Sequence, residues 1–135
     1  MKMADQFFWP VRVYYEDTDA GGIVFYANYL KFFERARTEW LRAHGLQQQQ
    51  MKEQTGTMFV VKSGTVEYHA PARLDDELTI SVEIQKLGRA SLHFVQEARC
   101  GERLLATGVI KVGCVDAESV RPAAIPAHVL DAIRN

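Results

Sequence analysis

A single long segment of this chain has the three-to-four-residue period of an amphipathic helix, whereas the other long apolar segments have the two-residue period of strands. In residues 29–44 the apolar side chains recur every three or four positions, and Gly45 follows them, so the spacing predicts one long helix that ends at this glycine. Asn28 is predicted to cap the first turn of that helix. A single long helix must cover its apolar face with a sheet, which favours the α+β class.

Five segments have the composition or the alternation of strands. The clearest is residues 78–85, where aliphatic and polar side chains alternate. We predict strands at residues 11–16, 57–70, 78–85, 91–100 and 103–115, and a short helix at residues 127–134. Gly64 is predicted to mark a bulge, and the glutamine run 47–50 is a polar connector or a short helix. Without a linker or an internal repeat, the chain is expected to form one domain over residues 1–135.

Composition limits the classes of function. The 135 residues include 16 Lys and Arg against 17 Asp and Glu, a net charge of −1, whereas a dedicated nucleic-acid binder usually has a basic excess. The longest apolar run is five residues, while a transmembrane helix needs about 20. The first five residues lack the apolar stretch of a secretory signal. Cys100 and Cys114 have no partner at zinc spacing, so reduced thiols in a cytoplasmic protein are predicted.

The densest group of chemistry-bearing residues lies between the first strand and the long helix. Asp17 and Asp19 come first, two glycines follow, and the helix begins soon afterwards. A carboxylate beside a helix N-terminus faces backbone N–H groups that can hold an oxyanion, while the acid acts as a base or nucleophile. Alternatively, both aspartates are turn residues that bond to their own backbone. A calcium loop is a third interpretation, but Asn28 stands where such a loop needs a bidentate glutamate.

Several motifs of this chain resemble those of the YbgC-type acyl-CoA thioesterases, within the wider 4-hydroxybenzoyl-CoA thioesterase family. The resemblance covers about residues 9–126. It rests on the motifs YEDTDAGGIV (15–24), ANY (27–29), FERARTE (33–39), VEY (66–68), PARLDD (71–76) and G-x-x-S (88–91). It implies a hotdog fold, in which a five-stranded antiparallel sheet wraps around one long helix.

The resemblance also implies an activity and a set of site residues. It implies hydrolysis of acyl-CoA with Asp19 as the catalytic acid and the backbone N–H of Tyr26 as the oxyanion donor. Many YbgC-type members have histidine at the position of Tyr26, a difference that leaves a backbone donor in place. Arg89 and Ser91 are expected at the nucleotide of CoA, and Lys62 is a further candidate. No metal or organic cofactor is implied, the expected assembly is a homotetramer made of two dimers, and such genes often neighbour those of the Tol-Pal system.

Two other functions stay open on the residues alone. A hydratase or dehydratase of the same fold needs a histidine with an acid at the helix start, and residues 1–43 contain no histidine. A non-hydrolytic module would hold an acyl thioester without turnover, and the presence of Asp19 argues against it. The acyl chain, and whether CoA or an acyl carrier protein bears it, are left open.

Overall fold

The computed structural model describes residues 6–134 of the chain. Its strands are β1 (Phe7–Arg12), β2 (Thr57–Tyr68), β3 (Glu77–Leu87), β4 (Ser91–Cys100) and β5 (Arg103–Asp116). Its helices are α1 (Asn28–Ala43), α2 (Gln48–Thr55) and α3 (Ala127–Arg134), with a 3₁₀ turn at Tyr15–Asp17. The long helix, the C-terminal helix and the number of strands are confirmed, and the glutamine run contributes to α2.

No helix in the described part of the chain is both long enough and apolar enough to cross a membrane. The prediction about the first five residues lies outside the described range.

The strands form one antiparallel sheet in the order β1-β3-β4-β5-β2. The strands β3, β4 and β5 follow one another as neighbours, whereas β2 pairs with β5 at one edge of the sheet. The strand β1 pairs with β3 and forms the other edge. A long helix packed on this sheet confirms the predicted α+β class and the hotdog architecture.

Helix α1 packs on the sheet through one apolar side. Its buried apolar residues are Tyr29, Phe32, Phe33, Ala36, Trp40 and Leu41. At Gly108 of β5, an added Cβ atom would lie 2.8 Å from Cε2 of Phe33. Glycine therefore lets the Phe33 ring of the helix lie directly against the strand. Trp40 extends this contact by meeting Phe94 of β4 edge-on, with 5.3 Å between ring centroids.

A buried polar pair crosses the interface between α1 and the sheet. The Arg37 Nη1 donates to Oε1 of Gln96 at 2.9 Å, and the Gln96 amide donates to the carbonyls of Phe33 and Ser81 at 3.1 and 3.3 Å. Burial lowers the pKa of Arg37, while the nearby Glu34 carboxylate acts in the opposite direction. Because Gln96 bonds to both α1 and β3, it fixes where the helix sits on the sheet.

The first strand begins and ends earlier than predicted, at residues 7–12 instead of 11–16. Trp9 is paired with Ile80 of β3 and lies within the strand, as does Pro10. Proline is tolerated there because β1 is an edge strand. The chain leaves the sheet after Arg12 and enters the 3₁₀ turn, where the Tyr14 N–H donates to the Asp17 carboxylate instead of to a neighbouring strand.

The irregularity in β2 lies at Lys62, so the prediction of a bulge at Gly64 was wrong. The register between β2 and β5 shifts between Val61 and Ser63, which leaves Lys62 as the extra residue. Gly64 is regularly paired with Ile110, whose Cδ1 would lie 3.1 Å from an added Cβ. This glycine therefore satisfies a packing constraint rather than a bend in the backbone.

We expect Gly108→Ala to destabilise the fold by about 1–3 kcal/mol, because its methyl group would overlap the Phe33 ring in the core. Gly113→Ala in the same strand is the matched control, since its Cβ would meet the side chain of Lys62, which can swing into solvent. Urea denaturation followed by circular dichroism gives both free energies of unfolding. Equal losses in the two variants would contradict the close helix approach at Gly108.

Candidate active site

The segment between β1 and α1 forms a loop that doubles back on itself. Thr18 and Val24 form an isolated antiparallel bridge, and the Asp19 N–H donates to the Ile23 carbonyl at 2.8 Å. Gly22 lies within this reversal with a φ of 79°, a conformation that favours glycine. A second bridge joins Ile23 to the segment after β2, so the loop is fixed to the sheet as well as to itself.

Asp17 is the buried anchor of this loop and is only 3% exposed. Its Oδ2 accepts a hydrogen bond from the Tyr14 N–H at 2.8 Å, and its Oδ1 accepts one from Nδ2 of Asn28 at 2.8 Å. The turn interpretation is therefore correct for Asp17. Both carboxylate oxygens are used inside the protein, which contradicts the calcium-loop interpretation. Across residues 6–134, no three His, Cys, Asp or Glu side chains are grouped so that they could hold a metal ion.

Asp19 is exposed, and the turn holds only one of its two carboxylate oxygens. Its Oδ1 accepts hydrogen bonds from the Gly21 N–H at 2.8 Å and from the Ile23 N–H at 3.4 Å. Its Oδ2 makes no hydrogen bond to any of the described residues. The turn interpretation thus applies to Asp19 too, but it leaves one oxygen of an oriented carboxylate available for chemistry.

Tyr26 lies in the turn that leads into α1. The Asn28 N–H donates to the Phe25 carbonyl at 3.0 Å, and the Tyr29 N–H donates to the Tyr26 carbonyl at 3.2 Å. The Tyr26 N–H, one residue before the N-cap Ala27, has no acceptor within residues 6–134. Asn28 is the first helical residue rather than the predicted N-cap, because its side chain bonds to Asp17 instead of to the first turn.

Tyr26 forms part of an aromatic-walled cleft of about 290 Å³, which we call the tyrosine cleft. The cleft is lined by Ile23, Val24, Tyr26, Tyr29, Tyr68, His69, Ala70 and Pro71. The Tyr68 ring centroid lies 4.5 Å from that of Tyr26 and 5.5 Å from that of Tyr29. Burial raises the pKa of Tyr29 and of Tyr68, so both hydroxyls keep their protons at neutral pH. Because Ile23 belongs to this wall and also to the Asp19 turn, the carboxylate loop borders the cleft.

Of the residues that line the cleft only Tyr26 was predicted as a site residue, and Tyr68 and His69 are among the others that bear polar groups. Tyr68 Oη donates to the Tyr26 carbonyl at 3.0 Å, and Nε2 of His69 lies 3.2 Å from Oγ1 of Thr107. The end of β2 brings Tyr68 to the turn before the helix from 42 residues away in sequence, a pairing that no local pattern encodes. The hydratase alternative needs a histidine at the helix start, whereas His69 lies on the sheet side of the cleft and is bonded to a threonine.

The three residues expected at the nucleotide lie close to one another and form what we call the Arg89 cluster. Arg89 is exposed in the turn between β3 and β4, which the Gly88 N–H closes by donating to the Ser91 carbonyl at 2.8 Å. The side chain of Lys62 lies over Gly113, and Gly113 is paired with Ser91. Ser91 and Lys62 therefore flank one glycine, with Arg89 two positions before Ser91.

The Arg89 cluster and the tyrosine cleft of one chain lie at opposite ends of the sheet. Ala106 is opposite Tyr68, Gly113 is opposite Ser91, and the two β5 residues are seven positions apart. At about 3.3 Å per residue this is roughly 23 Å along the strand. The structure thus brings the predicted catalytic residues to one end and the predicted nucleotide residues to the other.

Known proteins share this fold and much of this sequence. Residues 13–133 match the family model of the thioesterase-like superfamily. A protein of Escherichia coli O6:H1 named acyl-CoA thioester hydrolase YbgC is 50% identical over 125 residues, which is 92% of each chain. The acyl-CoA thioesterase YbgC of Haemophilus influenzae is 45% identical over 123 residues, which is 91% of this chain and 90% of that one. The crystal structure of a probable thioesterase from Bartonella henselae has a TM-score of 0.85 at 32% identity, and the match covers 90% of this chain and 100% of that one.

We expect Asp17→Asn to destabilise the protein by about 1–3 kcal/mol, because its new amide NH₂ would face one of two N–H donors. The exchange Asp17→Asn with Asn28→Asp should recover most of this loss, since the new amide can donate to the new carboxylate while its oxygen accepts from Tyr14. A double-mutant cycle in urea measures the coupling. Purely additive losses would contradict a direct Asp17–Asn28 bond.

Proposed function

The chain belongs to the thioesterase-like superfamily and is an acyl-CoA thioesterase, and we propose that Asp19 and the backbone N–H of Tyr26 perform the hydrolysis. The reaction converts an acyl-CoA and water into a carboxylic acid and CoA. The supporting observation is that the loop closed between Asp19 and Ile23 presents a carboxylate with a free oxygen next to a cleft, and that an unused N–H belongs to the wall of that cleft.

Asp19 supplies the attack on the carbonyl carbon of the thioester. Carboxylates are ionised at neutral pH. The free oxygen either bonds to that carbon, giving a mixed anhydride that water then hydrolyses, or takes a proton from a water whose oxygen bonds to the carbon. In both routes the C–S bond breaks and CoA leaves as a thiolate, which is a good leaving group and needs no strong general acid.

Tyr26 stabilises the negative charge that the attack places on the carbonyl oxygen. Its N–H lies at the start of α1, so the partial positive charge of the helix start adds to the hydrogen bond. The acyl group would then lie against the aromatic walls of the tyrosine cleft, with its carbonyl towards the Tyr26 N–H.

We expect Asp19→Asn to lower kcat by about 10²–10⁴-fold without unfolding the protein. The amide oxygen can still accept from the Gly21 N–H, but the side chain can neither attack nor take a proton. Asp116→Asn is the matched control, since Oδ1 of Asp116 accepts from two backbone N–H groups in a similar exposed turn. Thiol release from a panel of acyl-CoAs measures kcat. Near-normal turnover of the Asp19 variant would show that Asp19 serves the turn alone.

The Arg89 cluster is suited to the phosphates of CoA. A protein with a net charge of −1 has to meet phosphates with local positive charge. The Arg89 guanidinium and the Lys62 ammonium supply that charge, and the Ser91 hydroxyl adds a donor. Because the cluster and the cleft of one chain lie at opposite ends of the sheet, we propose that the cluster of one subunit serves the cleft of another.

The exposed surface supports assembly of several copies. Large apolar side chains are exposed beside the cleft and at the start of α1: Phe25, Tyr26, Leu30 and Tyr68. Within residues 6–134, each edge strand of the sheet, β1 and β2, pairs with a neighbouring strand on one side only. We propose a dimer as the smallest active unit and a homotetramer, made of two dimers, as the complete assembly.

The cellular setting follows from the thiols and the substrate. Cys100 and Cys114 are unpaired, and Cys114 is buried. Free thiols are typical of a reducing compartment, so we propose that the chain works in the cytoplasm. We also propose that residues 1–135 form one domain, since the sequence contains no linker and no internal repeat. CoA is the proposed acyl carrier, and an acyl carrier protein is the second carrier to assay.

We expect Arg89→Ala to raise KM for acyl-CoA about tenfold to a hundredfold, the value of a charged hydrogen bond. The effect on kcat should be smaller, because a remote phosphate contact is similar in the ground and transition states. High salt should weaken the effect, and an acyl-pantetheine substrate, which has no nucleotide, should abolish it. Equal impairment on both substrates would show that Arg89 has a structural role instead.

Mixed assemblies show whether the site is shared between subunits. Consider a dimer of one Asp19→Asn subunit and one Arg89→Ala subunit. If the site is shared, Asp19 of the second subunit and Arg89 of the first form one site with both residues unmodified, so part of the activity should return with the unmodified KM. If both residues serve the same chain, the mixed dimer keeps the raised KM. Light scattering of the unmodified protein gives the assembly, and an active particle of monomer mass would overturn the dimer.

A further inference from the structure

Tyr68, at the end of β2, makes two direct contacts with Tyr26 and one with the helix behind it. Its hydroxyl donates to the Tyr26 carbonyl at 3.0 Å across 42 positions of sequence. Its ring stacks at a tilt of 33° on the Tyr26 ring, with 4.5 Å between centroids. Its other ring neighbour is the buried Tyr29. A residue of the sheet thus holds the turn that precedes the helix.

The Tyr26 N–H belongs to the peptide unit that joins Phe25 to Tyr26. On one side of this unit, the Phe25 carbonyl is held by the Asn28 N–H at 3.0 Å. Because a peptide unit is planar and trans, the Tyr26 N–H points away from that carbonyl. The next peptide unit is held at the Tyr26 carbonyl by the Tyr29 N–H at 3.2 Å and by the Tyr68 hydroxyl. Both units that flank the Tyr26 Cα are therefore restrained.

The Tyr68 restraint matters because the turn is otherwise open to solvent. The Tyr26 side chain is 70% exposed, so the core does little to fix this residue. Tyr68, in contrast, is attached to a rigid element: it pairs with Ala106 of β5, and the next residue, His69, donates its N–H to the Leu105 carbonyl at 2.8 Å. An oxyanion donor is effective when its direction is set before the charge develops.

We propose that Tyr68 is a positioning residue, which holds the Tyr26 backbone so that its N–H is aimed at the carbonyl oxygen of the bound thioester. This inference rests on the proposed function, in which the Tyr26 N–H is the oxyanion donor. Tyr68 acts through Tyr26 and takes no part in bond making or breaking. Burial raises the pKa of Tyr68, so its hydroxyl keeps the proton that it donates to the Tyr26 carbonyl.

Tyr68→Phe separates the hydrogen bond from the ring contacts, because it keeps the ring and removes only the hydroxyl. We expect kcat to fall about threefold to tenfold, as for one neutral hydrogen bond, with KM unchanged. Tyr68→Leu, which also removes the stacking, should lower kcat further. Tyr14→Phe is the matched control, since it deletes a hydroxyl that makes no hydrogen bond within residues 6–134. Thermal unfolding of each variant checks that the fold is retained.

The infrared C=O stretching frequency of a bound ligand shows directly whether the Tyr26 N–H donates to its carbonyl oxygen. In an acyl-CoA ketone analogue, in which CH₂ replaces sulfur, hydrogen bonding lowers the infrared C=O stretching frequency. We expect a lowered frequency in the unmodified enzyme, and part of that shift should be lost in Tyr68→Phe. An unlowered frequency in the unmodified enzyme would overturn the oxyanion assignment and this inference together. A lowered frequency that Tyr68→Phe leaves unchanged, or a rise in KM alone, would overturn the role of Tyr68 and leave the proposed function standing.

Discussion

The buried carboxylate of Asp17 joins the two ends of the loop that bears the proposed site. One of its oxygens accepts from the Tyr14 N–H, just after β1, and the other accepts from the side chain of Asn28, at the first residue of α1. Asp19 and Tyr26 lie between these two points, so the geometry of both depends on this one side chain. Hydrogen bonds to a charged group contribute about 1.5–3 kcal/mol each, a large share of the 5–15 kcal/mol by which a typical domain is stable.

The elements on either side of this loop are held in place by packing and hydrogen bonds in the core. Gly108 lets the Phe33 ring come against β5, and Gln96 bonds to α1 and β3 at once. The start of α1 is therefore placed by packing along the whole helix.

Local patterns predicted the elements well and their long-range contacts poorly. The period of residues 29–44 and the alternation of residues 78–85 indicated the right structures, because burial on one face shows directly in the spacing. The bulge was placed at Gly64, because glycine signals either a bend or a close contact and the sequence does not say which. The VEY motif (66–68) contains Tyr68 but gives no sign of its contact with Tyr26, because the two residues are 42 positions apart in sequence. The position of Asp17 and Asp19 before a helix indicated a candidate site, whereas the choice of Asp19 and of the Tyr26 N–H came from the resemblance of a long motif.

The two edges of the sheet differ in a way that bears on how many copies can join. The strand β1 has six residues and contains Pro10, which has no N–H to offer to an added strand. The strand β2 has twelve residues, and beyond the Lys62 bulge it runs regularly from Ser63 to Tyr68. Such a sheet can pair with one further sheet through its β2 edge, and its β1 edge then offers no long regular strand with which a third sheet could pair. The fold therefore permits pairing of sheets while opposing open-ended growth into a fibre.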